Sequence, residues 1–343
     1  MQIVIRADAS ATMGTGHVMR CLTLAGALRI LGAEVRFVTN RGAGNLFAQI
    51  GQSGFHAYAV DCASDELGDP NVLIELACRE GLQPDWIVID HYGADTTYET
   101  ALRRVARRIM VIDDLANRKH DCDVLLDVNF HKDAVARYRG LVSSGATVMA
   151  GPAYALLRPE FVESRSQISA RKGPVRHVVI SFGGADPAGM SIRSMDAIRH
   201  LRPDVRVTVV IGTACALRDE IRAKAIKLNI AVAEGVSISR LFASADLGIG
   251  APGGTTWERF CVGLPSVLIA IADNQYSVGA AVGDAQYAIY AGPAEDVTDA
   301  ALERHLRNIL DDEELRHGLS LRGMQLVDGK GANRVAETIV GIQ

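Results

Sequence analysis

No stretch of this 343-residue chain approaches the roughly 18 uncharged apolar residues of a membrane-spanning helix. The strand-like segment Gln2 to Arg6 starts at once, without a basic segment, apolar run and cleavage site before it. A cytoplasmic protein with no membrane partner is therefore expected. Net positive charge is lacking too: 36 Lys and Arg against 40 Asp and Glu leave a formal charge of -4. Nucleic-acid binding needs a basic footprint, so no nucleic-acid partner is expected. The six cysteines, Cys21, Cys62, Cys78, Cys122, Cys215 and Cys261, lie in apolar segments and never form Cys-x-x-Cys. They read as reduced, packed thiols. A His-Glu-x-x-His pattern is absent as well, although His91, His120 and His131 occur among carboxylates. No metal site and no cofactor is expected.

What the chain has is length and rhythm. At roughly 150 residues per domain, it is long enough for two domains, each with its own core and a cleft between them. The apolar fraction of 48% and the charged fraction of 22% are those of a globular protein. Apolar, β-branched runs recur with helical patterns between them, the signature of parallel strands covered by helices. They are Ile3 to Arg6, Val35 to Thr39, His56 to Val60, Trp86 to Asp90, Ile109 to Asp113, Val124 to Leu126 and Thr147 to Ala150, then His177 to Ser181, Val205 to Ile211, Ile230 to Glu234, Leu247 to Ala251, Ser266 to Ile269 and Ala288 to Ala291. This places one α/β domain over 1–163 and a second over 174–343. Ser164 to Gly173, with Arg165, Arg171 and Lys172, interrupts the pattern as a linker. Helices are expected from Asp299 to Asp311 and up to Ile342, the last folding back on the N-terminal domain.

In such sheets ligands bind beyond the carboxyl ends of the strands. Gly14-Thr15-Gly16-His17 follows the first strand and opens an apolar helix, Cys21 to Leu31. First-turn N–H groups and the helix dipole attract anions there and disfavour a cationic imidazole, so His17 is a candidate general base. A satisfied structural histidine is the competing reading. Gly14 and Gly16 allow close approach to the backbone. Asp8 orients an imidazole, accepts from sugar hydroxyls, or forms a turn. Asp90-His91-Tyr92 ends the fourth strand, and Asp113-Asp114 is either a pair of acids or a plain turn. In the second half Gly253-Gly254-Thr255-Thr256-Trp257-Glu258 reads either as a capping box of Thr255 with Glu258 or as a diphosphate site whose glutamate accepts from a ribose hydroxyl. Ser181-Phe182-Gly183-Gly184-Ala185-Asp186 is a second glycine-rich strand exit, and Asp273-Asn274-Gln275 a polar turn.

The glycine-plus-His loop with Gly-Gly-Thr-Thr-x-Glu resembles the two-Rossmann-domain glycosyltransferase (GT-B) fold. More closely, Arg6-Ala7-Asp8-Ala9-Ser10, Gly14 to Cys21, Asp113 to Arg118, Gly151-Pro152-x-Tyr154-x-Leu156-Leu157-Arg158-Pro159-Glu160-Phe161, Ser181 to Asp186 and Asp273-Asn274-Gln275 resemble the UDP-2,4-diacetamido-2,4,6-trideoxy-β-L-altropyranose hydrolase family of pseudaminic acid biosynthesis. The resemblance implies inverting, metal-independent hydrolysis of a UDP-linked diacetamido sugar, with His17 activating water. It implies a nucleotide cradle of Gly183, Gly184, Asp186, Gly253, Gly254, Thr255 and Glu258, with uracil near Val236. Asp8, Gly14, Gly16, Tyr92, Arg158, Asn274 and Gln275 would face the sugar and its leaving diphosphate. A glycosyltransferase of the same fold, a hydrolysing UDP-sugar 2-epimerase and a non-catalytic nucleotide-sugar binder are the alternatives, and the oligomeric state is open.

Overall fold

The computed structural model describes residues 1–10, 14–42, 44–61, 67–212 and 214–342. Cys62 lies outside them. The chain forms two units, Met1–Leu157 together with Lys330–Gln343, and Arg158–Gly329.

The first unit alternates β1 (Gln2–Ala7), α1 (Gly16–Ile30), β2 (Glu34–Asn40), α2 (Phe47–Gln52), β3 (His56–Val60), α3 (Pro70–Arg79), β4 (Trp86–Asp90), α4 (Thr96–Leu102), β5 (Arg108–Ile112), β6 (Val124–Asp127) and β7 (Thr147–Ala150). Local chemistry sets the helix starts. Asp69 accepts from Asn71 N (2.8 Å) ahead of Pro70 at the first turn of α3, and Asp95 accepts from Tyr98 N (2.9 Å) at α4. Every residue of β4 is buried, as a parallel strand covered on both faces requires. The strands pair in parallel in the order β3-β2-β1-β4-β5-β6-β7. The winding direction therefore reverses between β1 and β4, where Ala7 lies opposite Asp90. Ile87, Ile89, Ile109, Val111 and Leu125 pack on Leu73, Leu76 and Leu102 of the helices. Each such burial contributes about 1.5–3 kcal/mol.

The second unit runs α5 (Pro159–Ser166), β8 (His177–Ser181), α6 (Met190–Leu201), β9 (Arg206–Val210), α7 (Arg218–Lys227), β10 (Ala231–Ala233), α8 (Ile238–Ser244), β11 (Leu247–Gly250), α9 (Gly254–Cys261), β12 (Ser266–Ala270), α10 (Tyr276–Asp284), β13 (Ile289–Pro293), α11 (Asp299–Asp311) and α12 (Glu313–Leu326). Its parallel order is β10-β9-β8-β11-β12-β13, so the reversal falls between β8 and β11, with Ser181 opposite Gly250. The last helix, α13 (Gly331–Gly341), belongs to the first unit and packs on α1.

The expected linker Ser164 to Gly173 is structured and lies inside the second unit, whose first residue is Arg158 rather than one beyond 163. Phe161 is fully buried. Arg165 donates to Cys261 O (2.8 Å) and Met324 O (2.9 Å), at the carboxyl ends of α9 and α12. Arg171 donates to Phe242 O (3.0 Å), Ala243 O (2.9 Å) and Ala245 O (2.8 Å) at the end of α8. These guanidiniums satisfy carbonyls that a helix leaves unpaired and complement its dipole. A polar segment thus carries structure rather than slack.

Among the described cysteines, Cys21, Cys122, Cys215 and Cys261 are buried, whereas Cys78 is exposed, contrary to expectation. The buried positions of α3 are Leu73, Ile74, Leu76 and Ala77, which leaves Cys78 on the outer face. No helix among the described residues is long and apolar enough to cross a membrane.

Candidate active site

The reversal between β1 and β4 opens a crevice at the carboxyl ends of both strands. Gly14 returns a hydrogen bond to Ser10 O (2.9 Å) with φ +80°, and α1 begins two residues later. Thr15, at the N-cap of α1, makes no side-chain hydrogen bond to the helix start, and the first turn holds no acidic residue. A Cβ added at Gly14 or Gly16 would meet no atom of the described residues within 4 Å.

His17 is buried in the first turn of α1, and its Nδ1 lies 2.6 Å from Asp90 Oδ1. Arg20 grips the same carboxylate through Nε to Oδ2 (2.6 Å) and Nη2 to Oδ1 (2.6 Å), and Cys21 Sγ points at Oδ2 (3.4 Å). Burial would push the Asp90 carboxyl up. The charges of Arg20 and His17, with their hydrogen bonds, outweigh that and hold it well below the usual carboxylate range. Nδ1 of His17 must then carry the proton that it donates to Asp90, and the 3.2 Å approach of Arg20 Nη2 is two donors converging on one oxygen. With Nδ1–H turned to Asp90, the nitrogen that carries the lone pair in the uncharged form of the ring is Nε2. Tyr92 packs edge-on against it, ring centroids 4.9 Å apart at 88°.

Asp8 does not orient His17. Its buried carboxylate is bound by Arg6, Asn40 N (2.7 Å) and Thr39 Oγ1 (3.3 Å), and its other oxygen faces His91 Nε2 at 3.8 Å. His91 Nδ1 accepts from Gly93 N (2.9 Å), which leaves the proton of the neutral ring on Nε2. Burial, against the opposing charge of Asp8, pushes His91 down to about 4. Asp113 and Asp114 do not form an acid pair. Asp113 accepts from Ala116 N (2.9 Å) and Tyr138 OH (3.1 Å) and pairs with Arg118 (2.9 Å), anchoring its own turn, while Asp114 faces Arg20 Nη1 at 3.6 Å. The Tyr138 hydroxyl also lies 3.1 Å from Asp127 Oδ2, and burial pushes the Asp127 carboxyl up to about 6 in spite of Asn129 N and Arg137.

In the second unit the turn after β8 and the turn after β11 flank the other reversal. Gly183 has φ +77°. The turn packs so closely on Gly212 that a Cβ there would lie 2.3 Å from Gly183 O and Gly184 O. Asp186 is not open to a nucleotide: its two oxygens accept from Met190 N (2.9 Å) and Ser191 N (2.8 Å), capping α6. The capping-box reading fails, because α9 starts at Gly254 with Gly253 before it, which puts Thr255 inside the helix. Thr255 Oγ1 accepts from Arg259 (3.3 Å). The N-terminus of α9 has neither a side-chain cap nor an acidic residue in its first turn. Glu258 meets Arg158 at 3.4 Å; burial pushes its carboxyl up, opposed by Arg158 and Arg259.

Gln275 Oε1 accepts from Ile271 N (2.9 Å), and its Nε2 would be 3.8 Å from a Cβ at Gly253. One sheet edge thus carries Gly183, Gly184, Gly253, Gly254, Thr255, Glu258, Arg158 and Gln275, with Asn274 exposed beside it. Val236 is exposed past β10, two strands away from β8, and the neighbouring Glu234 is tied to Arg218 (3.0 Å) and Arg222 (2.8 Å).

Asp90 as the partner of His17, and Arg20 behind it, are the residues that sequence reading passed over. The signal existed: a doubly wound sheet sets β4 beside β1, and Arg20 follows His17 by one helical turn.

No protein-family model matches this chain. Among curated proteins it is 30% identical over 195 residues to the UDP-2,4-diacetamido-2,4,6-trideoxy-beta-L-altropyranose hydrolase of Campylobacter jejuni, covering 56% of this chain and 64% of that one. It is 27% identical over 204 residues to the spore coat polysaccharide biosynthesis protein SpsG of Bacillus subtilis, covering 58% and 60%. An uncharacterized protein of Methanocaldococcus jannaschii is 24% identical over 279 residues, covering 78% and 55%. The aligned parts thus span 55 to 64% of these relatives. Similar solved structures include MurG of Acinetobacter baumannii (TM-score 0.66, 14% identity, all of both chains) and the spinosyn rhamnosyltransferase SpnG (TM-score 0.68, 17% identity, 98% of this chain and 100% of that). The UDP co-structure of Staphylococcus aureus MnaA is a third (TM-score 0.66, 13% identity, 98% and 95%). The chain has the GT-B fold of two Rossmann-like domains.

Proposed function

We propose that this protein acts on a UDP-sugar and hydrolyses it at the anomeric carbon with inversion and without a metal ion, the substrate being UDP-2,4-diacetamido-2,4,6-trideoxy-β-L-altropyranose. The observation that carries the reading is the bond from His17 Nδ1 to Asp90 (2.6 Å), which leaves Nε2 as the basic atom at a strand exit lined by open glycine backbone. The name of the Campylobacter relative supports the substrate. In the proposed step His17 Nε2 takes a proton from water as the water oxygen bonds to C1. The C1–O bond to the β-phosphate breaks, its electron pair stays on the phosphate oxygen, and UDP leaves with the free 2,4-diacetamido-2,4,6-trideoxy-L-altrose. Base help of this kind is worth about 10²–10⁴-fold.

Gly14 and Gly16 let sugar and water approach, and Tyr92 holds the imidazole edge-on. The diphosphate is assigned to the backbone of Gly183, Gly184, Gly253 and Gly254, to the Thr255 hydroxyl and to Arg158, groups that stabilise the leaving charge. Glu258 accepts from the ribose, uracil lies by Val236, and Asn274 and Gln275 serve the sugar. Asp8 supports the strand exit from inside, through His91, rather than touching a hydroxyl.

The test is turnover of the UDP-diacetamido sugar in H₂¹⁸O with EDTA and without any acceptor, followed by proton NMR and mass spectrometry. The expected products are UDP free of ¹⁸O and a sugar carrying ¹⁸O at C1 with the opposite anomeric configuration. UDP release only after an acceptor is added would instead identify a glycosyltransferase, deuterium at C2 in a parallel reaction run in D₂O an epimerase, and tight binding without turnover a binding protein.

A further inference from the structure

Arg20 has no part in the proposed chemistry, yet it is a cation bound to the same carboxylate as His17. It lies one helical turn along α1, contacts both oxygens of Asp90, and approaches His17 Nδ1 at 3.2 Å. An anion buried beside an imidazole draws a proton onto the ring, which opposes the use of that ring as a base. A cation held on the same carboxylate, 3.2 Å from the ring nitrogen, offsets that pull while leaving the orienting hydrogen bond in place. We infer that Arg20 is the positioning residue that keeps His17 a free base, by fixing Asp90 as a permanent anion and offsetting its charge at the ring. The inference rests on His17 being the base of the proposed reaction.

The groups facing this cluster come from several elements. Arg20 and Cys21 lie on α1, Asp90 ends β4, His91 and Tyr92 follow it, and Asp114 stands in the turn after β5, 3.6 Å from Arg20 Nη1. Burial and the Asp90 charge push the Cys21 thiol up, so it stays a neutral donor. His91, pushed down to about 4, adds no positive charge near neutrality. Burial opposes the charge on Arg20, but Asp90 and Asp114 hold that charge firmly in place. Arg20 is therefore the cation beside the ring at working pH, and only a guanidinium can span both oxygens of Asp90 in one plane.

The test is an NMR titration of the His17 ring nitrogens in resting protein, beside the pH profile of kcat/KM. In Arg20→Gln the ring midpoint should rise by about one pH unit, and the acid limb of kcat/KM should move up with it. Arg20→Lys, which keeps the charge, should stay near wild type in midpoint. An unchanged midpoint in Arg20→Gln, with kcat/KM reduced equally at every pH, would show a merely structural arginine and overturn the inference. Should Arg20→Gln fold poorly, Asp114→Asn removes a negative charge from the far side of Arg20 and should move the midpoint downward; no movement there also overturns it. Because the titration needs no substrate, a shifted midpoint in a protein that hydrolyses no nucleotide sugar would uphold the inference and sink the proposed function alone.

Discussion

His17 and Asp90 stand 73 positions apart in the chain and meet at 2.6 Å, one from the first turn of α1 and the other from the last residue of β4, the strand paired directly with β1. The short bond fixes which ring nitrogen carries the proton. It ties the chemistry of the loop after β1 to the burial of β4.

Asp90→Asn keeps the size of the side chain but changes what it offers Nδ1. An amide can present its NH₂ to the ring, which drives the proton to Nε2 and removes the base. The expected result is a loss of about 10²–10⁴-fold in kcat with an unchanged circular dichroism spectrum. Activity within threefold of wild type would show that Asp90 does not set the tautomer.

Two nearby glycines should behave differently. Gly14 has φ +80°, so Gly14→Ala should cost about 1–2 kcal/mol in urea unfolding. Gly16, the first residue of α1, lacks such a φ, and a Cβ there touches no atom of the described residues within 4 Å. Gly16→Ala should therefore leave stability equal or higher by up to about 1 kcal/mol, while raising KM for the nucleotide sugar. An unaltered KM would mean that the sugar does not lie against this backbone.

Stability should depend on pH through three groups of the first unit, the buried His91 and Asp127 and the half-buried His131. Burial pushes His91 and His131 from 6.5 down to about 4. As pH falls from 6.5 toward 4 the unfolded chain binds protons at these rings that the folded protein does not, so stability falls. Asp127 is pushed by burial from 3.8 up to about 6, so between those values the folded protein binds the extra proton and stability rises as pH falls. Asp127→Asn removes this offset. Urea midpoints at pH 6.5, 5.5 and 4.5 should drop more steeply in the variant, and an equal or shallower drop would refute the assignment.

The thirteen strands among the described residues were legible in the sequence, the central ones because a strand buried on both faces is a continuous apolar run, as in Trp86-Ile87-Val88-Ile89, and the more exposed ones, such as β3 and β10, as short apolar runs between helical patterns. Their ends moved by a residue or two. The segment Ser164 to Gly173 reads as a linker because Arg165 and Arg171 look like solvated charges until the helix ends that they cap are known. The pairing of His17 with Asp90 was hidden for a similar reason: it is created by strand order, which no local pattern reports. Asp186 and Thr255 show the converse. A carboxylate after two glycines looked like a ligand group and is a helix cap, while a Thr with cap spacing lies within the helix that it was expected to start.

Gly212 offers a test of the nucleotide turn that touches no proposed ligand group. The turn Gly183-Gly184 approaches Gly212 so closely that a Cβ would lie 2.3 Å from two carbonyl oxygens and 2.5 Å from Gly184 Cα. Backbone atoms cannot yield as a flexible side chain would, so Gly212→Ala must push the turn away from its position beside β8. If that turn binds diphosphate through its N–H groups, UDP affinity measured by calorimetry should fall at least about tenfold, the equivalent of 1.4 kcal/mol. The ring titration of His17, which belongs to the other unit, should stay at its wild-type midpoint in the same variant. UDP affinity equal to wild type would remove Gly183 and Gly184 from the nucleotide site and leave the N-terminus of α9 as the place to look for the phosphates.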